Sequence, residues 1–193
     1  FMLHGYGSNE EDLFSFANAL PPEYTIISFR APYHLASFGY AWYMINFDAD
    51  QNNWSDTQQA IESRDLIMQA IEEACRVYDL DTRNVTLLGF SQGSILSMAV
   101  ALSYPKKIRN VIALSGYLNK DIIKEGYERE HHSMTHFYIS HGSSDQVIPV
   151  EWARQTPVIL DSIGVKYRYE EFPVGHGVSP QNFYSFREWL TQQ

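Results

Sequence analysis

The pentapeptide Gly89-Phe90-Ser91-Gln92-Gly93 constrains this chain more than any other stretch, because of what flanks it. The largely apolar run Val85-Thr86-Leu87-Leu88 precedes it, and a helix-forming stretch at 94–102 follows it. Between a strand and a helix, the pattern G-x-S-x-G is typical of a turn so tight that glycines are needed two residues to either side of the serine. We therefore predict a nucleophile elbow that holds the Ser91 hydroxyl at the carboxyl end of a sheet.

A serine hydroxyl is a weak nucleophile, so an elbow needs a base and a group that orients the base. In α/β-hydrolases these follow the serine in the order acid, then histidine, on loops after later strands. Asp145 follows a strand-like segment at 136–140, and His176 follows another at 166–172. Ser91, Asp145 and His176 are therefore the predicted triad. Asp161 is a rival acid, but it falls late in a predicted helix rather than in a loop.

A glycine-rich loop at the amino terminus predicts the remaining catalytic element. His4-Gly5-Tyr6-Gly7 follows Phe1-Met2-Leu3, which reads as the end of a strand. In this fold one oxyanion donor is the backbone N–H after the nucleophile, here Gln92, and the other comes from such a loop, here Tyr6. We expect His4 to support the loop by hydrogen bonding. We also expect Gln92 to matter through its backbone alone, which would make its side chain replaceable.

Strand-like and helix-like segments alternate along the chain, which predicts one α/β domain over 1–193 with helices on both faces of a mostly parallel sheet of about six strands. Ser8 and Glu11 are placed to form a capping box for the first helix, and Pro157 is expected to kink or break the fourth. The stretch 30–55 shows no clear periodicity, and long irregular segments are often functional. The strands are expected near 1–4, 24–29, 84–90, 110–115, 136–141 and 166–172, and the helices near 9–20, 56–78, 92–103, 151–163 and 179–191.

The composition of the chain argues against two classes of binding partner. The chain has 193 residues, 45% of them hydrophobic, and a net charge of -9, which argues against nucleic acid and against anionic membranes. No apolar run approaches the roughly 18 to 20 residues of a membrane-spanning helix, so we expect no stable membrane insertion. The single cysteine, Cys75, cannot form an intrachain disulfide, which fits a cytoplasmic location.

Metal sites are the less favoured interpretation of two clusters. His131, His132 and His136 are close in sequence, but a solvated loop explains them as well as a zinc site does. The start of a calcium loop is suggested by Asp48-x-Asp50-x-Asn52, but Asn53 and Gln59 stand where the glycine and glutamate of such a loop are needed. We expect no metal and no cofactor, since the predicted triad requires neither.

Four motifs together resemble the small carboxylesterases, lysophospholipases and acyl-protein thioesterases of the α/β-hydrolase fold. They are His4-Gly5-Tyr6-Gly7, the Gly-Phe-Ser-Gln-Gly elbow, His141-Gly142-x-x-Asp145-x-Val147-Ile148-Pro149 and Gly175-His176-Gly177. In that family the segment matching 30–43 forms part of the acyl pocket wall. The resemblance therefore implies that Trp42 contacts the substrate, and Ile148, just past the acid, is a second contact.

The resemblance implies hydrolysis of an ester, a thioester or a lysophospholipid with an apolar acyl group, through an acyl-enzyme. Two alternatives stay open: a catalytically silent member of the fold that binds a ligand or partner, and another hydrolase of the same fold, such as a peptidase. Members often form dimers, which this sequence leaves undecided. They usually begin with one or two edge strands before the His-Gly strand, and we expect these strands to be missing from the stretch that begins at Phe1.

Overall fold

The centre of the molecule is a parallel β-sheet with helices on both sides. The computed structural model describes residues 1–36, 39–47 and 53–193. Its strands, in chain order, are β1 (Met2–Leu3), β2 (Ser28–Phe29), β3 (Tyr33–His34), β4 (Tyr40–Ala41), β5 (Ile45–Phe47), β6 (Asn53–Ser55), β7 (Thr86–Phe90), β8 (Asn110–Leu114), β9 (His136–Gly142) and β10 (Lys166–Phe172). Its helices are α1 (Glu11–Phe14), α2 (Thr57–Val77), α3 (Gln92–Ser103), α4 (Val150–Ala153), α5 (Gln155–Ser162) and α6 (Pro180–Thr191), with short 3₁₀ helices at Ala17–Ala19, Lys120–Ile122 and Tyr127–Arg129.

Six strands form one sheet in the order β10-β9-β8-β7-β1-β2, and every neighbouring pair is parallel. The central strands are nearly continuous apolar runs, as expected where both faces of a parallel sheet are covered. All five residues of β8, for example, are buried. The predicted parallel sheet of six strands is confirmed, although the second strand is limited to Ser28–Phe29.

Alternate residues of the strands point into two separate cores. Leu87 and Val111 pack in the core that α2 and α3 cover, together with Ile67 of α2 and Leu96 of α3. The residues that follow them in each strand, Leu88 and Ile112, pack in a second core with Phe186 and Trp189 of α6 and Leu13 of α1. Helices therefore cover both faces of the sheet, as the sequence predicts.

The first predicted helix is much shorter than expected. Only Glu11–Phe14 is α-helical, and the chain continues as a 3₁₀ helix at Ala17–Ala19. The predicted capping box is also wrong. Asn9 Oδ1 accepts the Glu11 N–H at 2.8 Å, while the Ser8 hydroxyl donates to Asp12. Ser8 cannot act as the cap because its backbone pairs with Tyr40 in an isolated β-bridge.

Two further predictions meet different outcomes. The fourth predicted helix is broken, as expected, because α4 ends at Ala153 and α5 begins at Gln155. Pro157 therefore lies in the first turn of α5. Residues of a first turn donate no hydrogen bond within the helix, so the missing N–H of proline costs nothing there. The irregular stretch 30–55 instead contains two antiparallel hairpins, β3–β4 and β5–β6. Within the described ranges, no helix combines the length and apolar character needed to cross a bilayer.

Candidate active site

Ser91 occupies a strained turn between β7 and α3. Its backbone has φ 53° and ψ −117°, and its N–H donates to Leu114 O at 2.8 Å. A Cβ on Gly89 would lie 2.3 Å from Gly93 O, and a Cβ on Gly93 would lie 2.0 Å from Leu3 O. Side chains at these two positions would collide with backbone, which is why the turn needs both glycines. The turn places Ser91 at the carboxyl end of the sheet.

The structure brings the three predicted triad residues together. Ser91 Oγ lies 2.9 Å from His176 Nε2, and His176 Nδ1 lies 2.7 Å from Asp145 Oδ2. Because an ionised carboxylate only accepts hydrogen bonds, Nδ1 is the protonated ring nitrogen. That tautomer leaves the Nε2 lone pair facing the serine hydroxyl. The His176 ring packs 5.0 Å from the Phe90 ring, and 18% of its side chain is exposed.

Asp145 is held by hydrogen bonds on both carboxylate oxygens. Oδ1 accepts the backbone N–H groups of Val147 at 2.8 Å and Ile148 at 3.0 Å, while Oδ2 faces His176. Burial raises the pKa of Asp145, but the hydrogen bonds from His176 and the two N–H groups outweigh it, and the pKa lies below its ordinary value. The carboxylate is therefore ionised at neutral pH and its orientation is set by the loop.

A second histidine beside the acid was not singled out from the sequence. His141 Nε2 donates to Ile148 O at 2.8 Å and lies 3.3 Å from Asp145 Oδ2. Its side chain is fully buried. The ring thus ties the end of β9 to the far side of the acid loop. The only sequence signal was its place in the His-Gly-x-x-Asp motif.

The acid and base loops touch through their glycines. A Cβ on Gly142 would lie 2.1 Å from Gly175 O, and Ser144 N–H donates to Val174 O at 3.1 Å. The end of β8 makes only a long contact with the base loop, with the Ser115 hydroxyl 3.5 Å from Gly177 O. There Ser115 adopts φ 54°, and a Cβ on Gly116 would lie 2.6 Å from Ser94 Oγ and 3.1 Å from Ser91 O.

The His-Gly loop lies against the elbow. A Cβ on Gly5 would lie 3.4 Å from Ser91 Cβ, and Ser8 N–H donates to Gly5 O across a turn in which Gly7 has φ 79°. Tyr6 stands in this turn. His4 is fully buried, and its Nε2 accepts the Ala31 N–H at 3.1 Å while Nδ1 donates to Gly5 O at 2.7 Å. Burial lowers the pKa of His4, which keeps the ring neutral in the supporting position that the sequence predicts.

Gln92 differs from expectation. Its side-chain Oε1 accepts the Trp42 N–H at 2.7 Å, and its Nε2 donates to Tyr43 O at 2.8 Å. Only 2% of the residue is exposed. The sequence prediction assigns this side chain no role, whereas in the structure it satisfies two buried backbone groups.

The two predicted substrate contacts are also buried. Trp42 is 2% exposed, and its indole N–H donates to His4 O at 2.9 Å. Ile148 is 8% exposed, with its backbone bonded to Asp145 and His141. Both residues therefore lie behind the loops that meet at Ser91. A direct contact of either with a substrate stays a prediction.

The alternative sites do not assemble in the part of the chain that the structure describes. Asp161 accepts a hydrogen bond from the Tyr167 hydroxyl and is not the partner of His176. His132 donates to Tyr127 O, whereas His136 bonds the side chain of Gln193. No group of three or more His, Cys, Asp or Glu side chains is arranged to hold a metal among the described residues. Asp48, Asp50 and Asn52 lie outside them.

Comparison with known proteins is consistent with this geometry. A family model described as Phospholipase/Carboxylesterase matches residues 1–193. A rice protein (Oryza sativa subsp. japonica) named "Probable carboxylesterase" is 28% identical over 132 residues, which cover 64% of this chain and 49% of that protein. Acyl-protein thioesterase 1 of Debaryomyces hansenii is 26% identical over 125 residues, covering 62% and 53% respectively. The chain spans about half the length of these curated relatives.

Among solved structures, the crystal structure of the Bacillus cereus carboxylesterase superposes with a TM-score of 0.86. The superposition covers 99% of this chain and 86% of the other, at 17% sequence identity. At that identity the likeness establishes the fold alone. It does so for almost the whole chain.

Proposed function

Since the chain belongs to the phospholipase/carboxylesterase family, we propose that it is a one-domain serine hydrolase that cleaves carboxylic esters through an acyl-enzyme. One observation carries the proposal. Ser91, His176 and Asp145 form an unbroken hydrogen-bonded series, with 2.9 Å between Oγ and Nε2 and 2.7 Å between Nδ1 and Oδ2. The strain at Ser91 adds support, because backbone strain of this kind concentrates at functional sites.

In the proposed first step, Ser91 Oγ attacks the ester carbonyl carbon while its proton moves to His176 Nε2. A bond forms between Oγ and the carbonyl carbon, and the carbonyl electron pair becomes an oxyanion. Asp145, ionised and fixed, stabilises the imidazolium without taking its proton. When the tetrahedral intermediate collapses, the bond to the leaving oxygen breaks and Nε2 delivers the proton to that oxygen.

The oxyanion is proposed to bind the backbone N–H groups of Tyr6 and Gln92. Gln92 is the first residue of α3, and the N–H groups of a first helical turn have no partner within the helix. Gly5 lies against Ser91, which supports Tyr6, the next residue of the turn, as the second donor. Donors of this kind are worth about a hundredfold to a thousandfold each in kcat in other enzymes, so they add substantially to what the triad contributes.

Water completes the cycle by the same route. His176 Nε2 takes a proton from water, the hydroxide oxygen attacks the acyl carbon, and the bond to Ser91 Oγ breaks as the proton returns to it. The products are a carboxylic acid and free enzyme. In this scheme His176 Nε2 accepts and returns the proton in every step.

The proposed substrate is a small ester with an apolar acyl group. Thioesters and lysophospholipids are the two further classes to compare, because the chain resembles a protein named acyl-protein thioesterase and its family description includes phospholipases. Trp42 and Ile148 remain the proposed acyl contacts. Esters of p-nitrophenol from C2 to C16, with matching acyl thioesters, would rank these substrates.

Two variants test the proposal. Ser91→Ala removes the nucleophile and His176→Ala removes the base, and each should reduce hydrolysis of short p-nitrophenyl esters to near background while the fold is retained. A fluorophosphonate probe, which reacts only with an activated serine, should label the wild type and not Ser91→Ala. Turnover at the wild-type rate in either variant would refute the mechanism, and a wild type that neither hydrolyses nor labels would indicate a silent binding protein.

A further inference from the structure

Residues 40–43 lie between the two loops that carry the proposed oxyanion donors. On one side, Gly7 N–H donates to Tyr40 O at 2.9 Å and Tyr40 N–H donates to Ser8 O at 2.7 Å. These two bonds fasten the far end of the turn in which Tyr6 stands. The position of that turn therefore depends on where residues 40–43 are held.

On the other side, the Gln92 side chain fastens residues 40–43 to the elbow. The Gln92 amide bonds both Trp42 N–H and Tyr43 O, at 2.7 and 2.8 Å. Since an amide offers a donor and an acceptor, it occupies these groups as a neighbouring strand would. The same residue contributes the proposed oxyanion donor of the elbow through its backbone.

Trp42 is hydrogen-bonded both to the His-Gly loop and to the elbow. Its indole N–H donates to His4 O at 2.9 Å, and its own carbonyl accepts from the buried Ser63 hydroxyl. With its backbone N–H on Gln92, all three polar groups of Trp42 are hydrogen-bonded in a residue that is 2% exposed. It cannot shift without breaking a buried hydrogen bond.

We propose that the Gln92 side chain is a positioning group that sets the spacing between the two oxyanion donors. Through Trp42 and Tyr43 it couples the elbow to the His-Gly loop, so that the N–H groups of Gln92 and Tyr6 keep their relative position as charge develops. This inference rests on the proposed function. It assigns the amide a role that the Gly-Phe-Ser-Gln-Gly pattern alone does not indicate.

Loss of this coupling should act on the transition state rather than on substrate binding. Misplacing catalytic groups by about 1 Å can cost a hundredfold in rate, and loss of a whole oxyanion donor costs about a hundredfold or more. We therefore expect Gln92→Met, which is similar in size and lacks both polar groups, to lower kcat by about 10-fold to 100-fold with KM nearly unchanged.

The experiment compares Gln92→Met, Trp42→Phe and the double variant on one p-nitrophenyl ester, with rates per fluorophosphonate-titrated site. Trp42→Phe removes the indole N–H to His4 O together with part of a buried ring, so it loosens the same connection from its other end. Thr156→Val is the matched control, because Thr156 is equally buried and its hydroxyl accepts a backbone N–H, that of Leu118, elsewhere in the molecule. It should leave kcat unchanged.

A second measurement separates positioning from simple destabilisation. An alkyl trifluoromethyl ketone adds to the serine and places an oxyanion in the hole, so its affinity should fall by about the same factor as kcat. If the two single substitutions act through one connection, the double variant should lose less than the product of their effects. If Gln92→Met does not fold, Gln92→Glu, which keeps an acceptor for Trp42 N–H and when ionised loses the donor to Tyr43 O, decides the question by the same two readouts.

The outcomes are distinguishable from those of the proposed function. If wild-type hydrolysis is absent or survives Ser91→Ala, the proposed function is wrong. If hydrolysis depends on Ser91 but folded Gln92→Met or Trp42→Phe keeps wild-type kcat and ketone affinity, the positioning role is refuted. A fall in kcat per titrated site without a change in ketone affinity refutes it as well.

Discussion

Replacing Asp145 by asparagine should abolish the proposed ester hydrolysis through the tautomer of His176 rather than through the loss of a charge alone. The contacts of Asp145 fix the orientation of the new amide. Oδ1 of Asp145 accepts two backbone N–H groups, from Val147 and Ile148. An amide nitrogen there would face two donors, so the amide oxygen of Asn must take this place. Its NH₂ group is left facing His176.

An NH₂ group facing His176 Nδ1 can only donate, so Nδ1 must become the acceptor and the ring proton moves to Nε2. Nε2 then points a proton at Ser91 Oγ and cannot take the serine proton. A substitution of this kind lowers kcat by about 10⁴ in a serine protease. The same factor here corresponds to about 5.4 kcal/mol of transition-state stabilisation.

The assay is the steady-state hydrolysis of a short p-nitrophenyl ester at neutral pH, with circular dichroism to verify the fold. KM should change little, because the geometry around the substrate is retained. Asp161→Asn is the matched control: it changes the rival acid, which bonds the Tyr167 hydroxyl, and should leave the rate unaltered. If Asp145→Asn kept more than about a tenth of wild-type kcat, the tautomer argument would be wrong.

Three further predictions concern stability. Gly93→Ala should lower the free energy of unfolding by about 3 kcal/mol in urea titrations, because its Cβ would lie 2.0 Å from Leu3 O. The control Gly177→Ala should be nearly neutral, because its Cβ meets nothing within 4 Å. Equal effects of the two substitutions would contradict the steric explanation. In the same titrations, the free energy of unfolding of Ser91→Gly should exceed that of Ser91→Ala by about 1 kcal/mol, because φ is 53° at this position and glycine adopts it without strain. Equal stability of the two variants would mean that the turn is unstrained. The folded-state pKa of Asp145 is lowered, so its contribution to stability is complete above the unfolded value of about 3.9 and is lost as pH falls through the folded value. Unfolding measured along an acid series should therefore show the wild type losing stability relative to Asp145→Asn, and a constant difference would contradict this.

Much of the architecture follows from local sequence. Apolar runs such as Asn110–Leu114 predict buried strands, and a serine with glycines two residues to either side predicts the elbow, because each depends on neighbours within a few residues. The meeting of Asp145 and His176 is predictable as well. Their strands are neighbours in the sheet, and loops at the carboxyl ends of adjacent parallel strands lie close together.

The supporting contacts could not be predicted, because they join residues far apart in sequence. The bonds of Gln92 to Trp42 and Tyr43 span 50 and 49 residues, and nothing in the elbow indicates which backbone its side chain will meet. The short α1 has the same origin. Ser8 is taken from its expected capping position by pairing with Tyr40, a tertiary contact that overrides local propensity.

The position of β8 has a consequence for how this site tolerates substitution. Ser91 follows β7 and His176 follows β10, and β8 and β9 lie between them. Three strand spacings amount to about 14 Å, so the histidine loop must reach back over the intervening strands to meet the serine. The histidine loop therefore passes over the end of β8, which itself supplies no triad residue. Ser115, with φ 54°, and Gly116 follow the end of β8, and a methyl group added at Gly116 would press on Ser94 and on Ser91 O and so could shift the nucleophile relative to the base.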